Sequence, residues 1–275
     1  MNRKEHKTMK PMKKVLCALL ALTLMMGMSL ALAAGEDRLQ TIKANGKLVL
    51  ATSPDYAPYE FLDLEGKPVG ADISLAKHIA QKLGVELVIE QMDFDTTLAA
   101  AATGKVDLAI SAISPTDERK LTMDFTQGYN SEGDQSLLIL GKNAETFKTL
   151  KDFEGKLIAA QNGSLQQTLV QEQLALATLE PIIKIPDAIM MLMTGKVDAV
   201  AIASKVAEQY IANYPDLVLS QAKFEYANEG EAVAVPLGSP QLLAAVDEIV
   251  AEVVASGQYL VWLDEALVLM NTINQ

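Results

Sequence analysis

A five-residue sequence that occurs twice constrains the fold of this chain more than any other feature. Residues 103–107 read Thr-Gly-Lys-Val-Asp, and the same five residues recur at 194–198. Each copy follows a segment with helical spacing and precedes a short apolar run. Each is therefore predicted to end a helix at its glycine and to open a buried strand. A unit repeated at the same structural position predicts two similarly built α/β halves.

Strand and helix patterns alternate on both sides of the two copies. Strands are predicted over 47–52, 85–90, 108–113, 157–160, 182–185 and 199–202, and helices over 72–83, 95–103, 164–176, 187–194 and 204–213. This alternation is typical of parallel sheets with helices on both faces. Asp72 and Asp95 are expected to cap the helices that they begin.

Two polar stretches that contain glycine interrupt the alternation, at 128–134 and 224–230. If the chain crosses between the halves at both, residues 35–130 with 226–275 form lobe 1 and residues 131–225 form lobe 2. A pair of crossing segments can act as a hinge, and two surface loops are the alternative. Open α/β sheets bind ligands beyond the carboxyl ends of their strands, so two facing lobes would place a ligand between them.

Residues 1–34 have the pattern of an export signal. A basic start is followed by a nearly unbroken apolar run over 15–32, and Ala-Leu-Ala at 31–33 is a small-x-small cleavage sequence. An uncleaved membrane anchor is the alternative, because the run is about long enough to cross a bilayer. Cys17 is the one cysteine of the chain and lies within the signal, so the mature protein is expected to have no disulfide and no thiol chemistry.

Charge and residue types narrow the class of function. The formal net charge of −12 argues against nucleic acids and anionic membrane surfaces as partners. No Ser-His-Asp arrangement, zinc-binding spacing or phosphate-binding loop can be assembled around the two histidines, His6 and His78. The sequence predicts a protein that is not an enzyme and that uses neither a metal nor another cofactor.

The segment from Ser111 to Arg119 has the residues needed to capture a small carboxylate. It includes the end of a predicted strand, and we expect a helix to follow, with Ser114 as its N-cap and Pro115 in its first position. Backbone N–H groups at a helix start bind anions, and arginine holds a carboxylate through two parallel hydrogen bonds. Taken alone, the segment also fits an ordinary capped helix with a solvated arginine.

Several motifs, in this order and spacing, resemble those of the extracytoplasmic solute-binding proteins of ABC transporters, in the polar amino acid branch. They lie at 53–61, 69–73, 104–110, 114–120 with 124–126, 161–164 and 195–200. The resemblance covers the whole mature chain. It implies the type II periplasmic-binding-protein fold, which is α/β with two lobes, each a mainly parallel sheet flanked by helices, joined by two hinge strands.

The resemblance also implies a function and a carboxylate site. The protein would be a monomer outside the cytoplasm that captures an amino acid or related small carboxylate between its lobes. It would deliver this ligand to an ABC permease in the membrane. Arg119 and the backbone N–H of Ser114 would hold the ligand α-carboxylate, with Gly163 and Ser164 contributing from lobe 2.

Four further residues take ligand-binding roles by the same resemblance. Tyr56 and Phe94 would be apolar walls against the ligand side chain. The Ser111 side chain and the carbonyls near Ala112 would receive the α-ammonium.

The chain departs from the family at one charged position. Members usually carry an acid five residues after the aspartate of the second Gly-Lys-Val-Asp sequence, and this acid pairs with the ligand ammonium. Here that position is Ala203. Since a buried ammonium without a partner is costly, Glu60, Glu225 or Glu229 is expected to serve instead, or the ligand is a dicarboxylate, a keto acid or a peptide-like molecule.

Two other functions fit the same fold. An exported dehydratase acting on prephenate-like acids would use the same arginine, with a pocket glutamate as general acid. A sensory ligand-binding module would be held by an uncleaved N-terminal anchor.

Overall fold

The computed structural model describes residues 37–131 and 133–273, so the predicted export signal and Cys17 lie outside the described residues. In chain order its elements are α1 (Arg38–Asn45), β1 (Lys47–Thr52), β2 (Phe61–Leu62), β3 (Pro68–Val69), α2 (Ala71–Leu83), β4 (Glu86–Gln91), α3 (Phe94–Ala102), β5 (Leu108–Ala109), α4 (Asp117–Lys120), β6 (Met123–Asn130), β7 (Gln135–Leu140), β8 (Leu157–Gln161), α5 (Leu165–Gln173), β9 (Thr178–Ile182), α6 (Ile185–Met193), β10 (Ala199–Ala203), α7 (Ser204–Asn213), β11 (Leu217–Leu219), β12 (Glu231–Pro236), α8 (Pro240–Ser256) and α9 (Gln258–Ile273). Short 3₁₀ turns lie at Gly141–Asn143 and Leu150–Phe153.

Two five-stranded sheets share one strand order. The first runs β4-β1-β5-β12-β6, and the second, taken from its parallel edge, runs β9-β8-β10-β7-β11. In each sheet the first three strands pair in parallel. The last two strands pair antiparallel with their neighbours. The predicted α/β class with two sheets is confirmed. The chain passes between the sheets twice, from β6 to β7 and from β11 to β12, and these four strands are the antiparallel ones.

The two Thr-Gly-Lys-Val-Asp copies have the same structure. In both, the threonine hydroxyl donates to a helix carbonyl at 2.7 Å, and the glycine adopts a left-handed φ of 68° or 72° that ends the helix. The aspartate Oδ2 then accepts a hydrogen bond of 2.9 Å from the neighbouring strand, from Val49 N in the first sheet and Leu157 N in the second. The repeat therefore fastens the third strand of each sheet to its parallel neighbour.

Some predicted boundaries were wrong for identifiable reasons. The strand predicted over 108–113 ends at Ala109, since Ala112 adopts a φ of 46° and turns the chain. The strand predicted over 182–185 lies earlier, at β9, where Pro181 is accommodated in an edge strand. Asp95 lies inside α3, whose N-cap is Asp93.

The helix predicted over 72–83 spans Ala71–Leu83. Of the five apolar residues at helical spacing in it, Ile73, Ala76, Ile79 and Ala80 are buried and Leu83 is half-buried. Among the described residues no single helix is long and apolar enough to span a membrane. Only α8 and α9 taken together reach that length and composition, and they are bent by 75°.

Candidate functional site

Arg119 lies on a shorter helix than the sequence predicted. The helix begins at Asp117, and its N-cap is Thr116, whose hydroxyl accepts from the Arg119 N–H at 3.3 Å. The prediction that Ser114 is the N-cap was wrong, because the Ser114 carbonyl accepts from the Thr116 N–H and from Arg119 Nη1 instead of from a helical N–H. A helix of four residues contributes little to anion binding through its N-terminus. The predicted carboxylate site therefore depends on the Arg119 guanidinium.

The guanidinium of Arg119 reaches from the first sheet to the second. Nη1 donates to the Ser114 carbonyl at 2.7 Å, and Nη2 donates to the Gly163 carbonyl at 2.9 Å. Its central carbon lies 5.6 Å from the centre of the Phe94 ring. Within the described residues no carboxylate forms an ion pair with it, and burial lowers its pKa to about 10. The structure thus holds a half-buried cation that forms no ion pair in the described part of the chain, with the exposed Glu118 beside it in sequence as a nearby negative charge.

A cavity adjoins this guanidinium and lies between the ends of the two sheets. Eight of the nine predicted site residues line it, namely Tyr56, Glu60, Phe94, Ser111, Ala112, Ser114, Arg119 and Ser164. Gly163 does not line the cavity and contacts the site through its carbonyl alone. The sequence did not predict six other lining residues as part of a site, namely Ser53, Gln135, Gln161, Leu165, Gln166 and Glu231, and Ala203 also lines it.

Side chains from both sheets close the cavity. The Tyr56 hydroxyl accepts from the Ala203 N–H at 3.0 Å and from Gln166 Nε2 at 2.9 Å. Asp55 Oδ2 accepts from the Ile185 N–H at 2.9 Å and from Gln161 Nε2 at 3.1 Å. The volume open to water inside is only about 20 Å³, which is space for one or two water molecules. A larger ligand enters only if the sheets separate or these side chains turn.

Asp72 supports the turn that forms one wall of the cavity. It is fully buried in the first turn of α2, whose N-cap is Gly70, so the prediction that Asp72 caps this helix was wrong. Its Oδ2 accepts from the Ala112 N–H at 2.7 Å and from the Tyr129 hydroxyl at 2.9 Å, and Oδ1 accepts from the Tyr259 hydroxyl at 2.6 Å. These bonds hold Ala112 in its positive-φ conformation.

Two buried glutamates face the cavity. Glu60 Oε1 accepts from the Ser111 hydroxyl at 2.8 Å, and Glu60 Oε2 receives no N–H or O–H donor among the described residues, although the Glu60 carboxyl group shares a hydrogen bond with that of Asp72. Glu231 Oε2 accepts from Asn130 Nδ2 at 2.9 Å. Burial raises the pKa of Glu60 well above its usual range and raises the pKa of Glu231 to about 8. Both groups therefore favour their neutral forms.

The other predicted partners for an ammonium lie elsewhere. Glu225 and Glu229 are exposed, and Glu229 pairs with Lys120 at 2.6 Å. Sequence reasoning missed Glu231, although an acid placed directly before the apolar run over 232–235 was the available signal. No group of three or more His, Cys, Asp or Glu suited to a metal ion occurs in the described part of the chain.

Comparisons with known proteins agree with this geometry. A model of the bacterial extracellular solute-binding proteins, family 3, matches residues 48–264. The arginine-binding extracellular protein ArtP of Bacillus subtilis (strain 168) is 33% identical over 229 residues, covering 81% of this chain and 86% of that protein. An amino acid ABC transporter substrate-binding protein from Streptococcus pneumoniae Canada MDR_19A, crystallised with L-arginine, is 40% identical with a TM-score of 0.80, covering 84% of this chain and 98% of that one.

A third similar structure concerns the enzyme alternative. The ancestral amino acid-binding protein AncCDT-1, a precursor of cyclohexadienyl dehydratase, is 29% identical with a TM-score of 0.75, covering 83% of this chain and 98% of that one. The family match extends over most of the chain and includes both sheets and the cavity between them. This chain belongs to the bacterial extracellular solute-binding proteins of family 3.

Proposed function

We propose that this protein captures an amino acid outside the cytoplasm, with L-arginine as the first candidate, and delivers it as a monomer to the permease of an ABC importer. The observation that carries the proposal is the half-buried Arg119 guanidinium, which forms no ion pair within the described residues and faces a cavity between two sheets. The names of ArtP and of the Streptococcus pneumoniae structure described above both include arginine, which makes L-arginine the first ligand to test.

The roles of the site residues follow from their positions. The α-carboxylate replaces the carbonyl partners of Arg119 and also accepts the Ser114 N–H, and Ser164, the N-cap of α5, approaches from the opposite side. Tyr56 and Phe94 pack against the ligand side chain. Ser111 and the backbone at Ala112 contact the ammonium end.

Closure of two lobes would bury the ligand and create the surface that a permease recognises. We assign residues 35–130 with 226–275 to lobe 1 and residues 131–225 to lobe 2, and residues 1–34 to a cleaved export signal. The strands support this assignment, because those of the first sheet lie at 47–130 and 231–236 and those of the second lie at 135–219.

A thermal-shift panel followed by calorimetry tests the ligand assignment. L-Arginine at about 100 times its Kd would stabilise the folded protein by about 2.7 kcal/mol, or about 5–10 °C in melting temperature for a chain of this size. D-Arginine is the matched control, since its carboxylate and ammonium exchange positions. The assignment fails if no L-amino acid, keto acid or dicarboxylate in the panel raises the melting temperature.

A dehydratase remains the second candidate, because a buried glutamate with a raised pKa is what a general acid requires. Glu231, with its pKa near 8, meets that requirement. We expect prephenate to remain unconverted when it is incubated with the protein and followed by absorbance of the aromatic product at several pH values. Turnover that Glu231→Gln abolishes would establish the enzyme instead.

A further inference from the structure

The cavity holds more negative than positive ionisable side chains. Among the described residues that line the cavity, Arg119 is the one with a cationic side chain, and Glu60 and Glu231 are the two with carboxyl groups. An α-carboxylate bound at Arg119 leaves both carboxyl groups without a cation. Neither Glu60 nor Glu231 forms an ion pair within the described residues, and Ala203 supplies no charge of its own.

Glu60 is the most deeply buried acid that faces the cavity. Its Oε2 atom receives no N–H or O–H donor among the described residues, and its carboxyl group shares a hydrogen bond with that of Asp72. Two buried carboxyl groups in contact hold a proton between them unless a cation is present. Because Glu60 also lines the cavity, a cationic donor supplied by a ligand would take the place of that proton.

We propose that Glu60 and Glu231 form the cation subsite of this cleft, which holds the two positively charged groups of a basic amino acid in place of the acid that is lacking at Ala203. This assignment rests on the proposed function. Three charges on the ligand then meet three in the protein, since one carboxylate pairs with Arg119 and two cations pair with two glutamates. An amino acid with a neutral side chain fills only one of the two glutamate positions.

The surroundings of the two glutamates couple the binding of a cation to the release of protons from their carboxyl groups. Between them, the two glutamates are faced by acids and phenols, namely Asp55, Asp72, Tyr56, Tyr59, Tyr129 and Tyr226. Burial and the charge of Asp72 raise the pKa values of both glutamates. At neutral pH the free protein therefore keeps protons that the two carboxyl groups release to solvent when an ammonium or guanidinium arrives.

The sign of the pH effect follows from this exchange. Ligand affinity is expected to rise with pH up to about 8, by up to about tenfold per pH unit for each proton released. The folding stability of the free protein changes in the opposite direction, because it falls as the pH rises. A carboxyl whose folded-state pKa is raised from 4.5 to about 8 contributes stability below the lower value and loses it as the pH rises through the higher one.

Calorimetry of L-arginine binding in phosphate and in Tris at pH 7 counts the protons, because the two buffers differ in ionisation enthalpy. We expect release of between one and two protons per L-arginine. L-Citrulline, which matches arginine in shape without the side-chain charge, should bind more weakly and release about one proton fewer. Equal proton counts for the two ligands would overturn the subsite.

Glu231→Gln tests the residue assignment, because glutamine can still accept from Asn130. It should lower the proton count by about one, flatten the pH dependence of the Kd and weaken L-arginine binding at pH 8 by at least tenfold. Glu225→Gln is the matched control, since Glu225 is exposed and outside the cavity. If L-arginine binds without proton release, the subsite is wrong while the proposed function stands. If L-arginine does not bind at all, the ligand assignment itself has failed.

Discussion

Arg119→Ala is expected to weaken amino acid binding by about 2–5 kcal/mol, or a factor of about 30 to several thousand in Kd. The loss is large because the ligand carboxylate would be desolvated in the cavity without its cation. Stability of the free protein should change little, because the desolvation that lowers the pKa of Arg119 offsets its hydrogen bonds to the Ser114 and Gly163 carbonyls. Calorimetry measures the first effect, and melting of the free protein measures the second.

Arg38→Ala is the matched control for this variant. Arg38 is the other arginine in the described residues, and it forms an ion pair with Asp107 at 3.2 Å and a hydrogen bond of 2.7 Å to the Gly104 carbonyl, away from the cavity. Its removal should lower the melting temperature and leave the Kd unchanged. Wild-type affinity in Arg119→Ala would refute the carboxylate site.

Gly70→Ala is expected to destabilise the fold by at least about 3 kcal/mol. Gly70 has φ 123° and ψ 178°, a region that only glycine occupies readily, and a Cβ there would collide with the Tyr59 carbonyl. That close approach is needed, because the Pro58 and Tyr59 carbonyls accept from Ala71 N and Asp72 N at the start of α2. Urea unfolding should show a midpoint lowered accordingly.

Gly84→Ala provides the comparison from the other end of the same helix. Gly84 has φ 73°, but no atom lies within 4 Å of its added Cβ. The expected cost is only that of a left-handed alanine, about 1 kcal/mol. Equal losses in the two variants would show that the contact with Tyr59 does not constrain the helix start.

The repeated pentapeptide is what made the fold predictable. Its glycines end α3 and α6, and Asp107 and Asp198 join equivalent strands, so a short-range signal marks the same point in each half. The family resemblance added the order of the motifs, and the fold and family it implied are confirmed. The fourth strand of each sheet, β12 in the first and β7 in the second, is placed by pairing with strands distant in sequence, which local periodicity cannot report.

The candidate site was only partly predictable, for reasons that differ between residues. Tyr56 and Arg119 could be proposed because they stand in motifs with fixed spacing, and Phe94 was proposed from the family resemblance alone. Glu231 has no motif of its own, and it reaches the cavity because its strand, β12, lies between β5 and β6 in the first sheet. Asp72 was misread as a helix cap, since its partners Tyr129 and Tyr259 lie 57 and 187 residues away in sequence.

The central place of β12 also decides when each half of the protein can be completed. All strands of the second sheet lie between residues 135 and 219, whereas the first sheet stays open between β5 and β6 until β12, at Glu231–Pro236, has been made. Pairing across so long a separation in the chain is slow. The half that leaves the ribosome first is therefore expected to finish folding last, with β6 and one edge of β5 unpaired at that gap until β12 arrives.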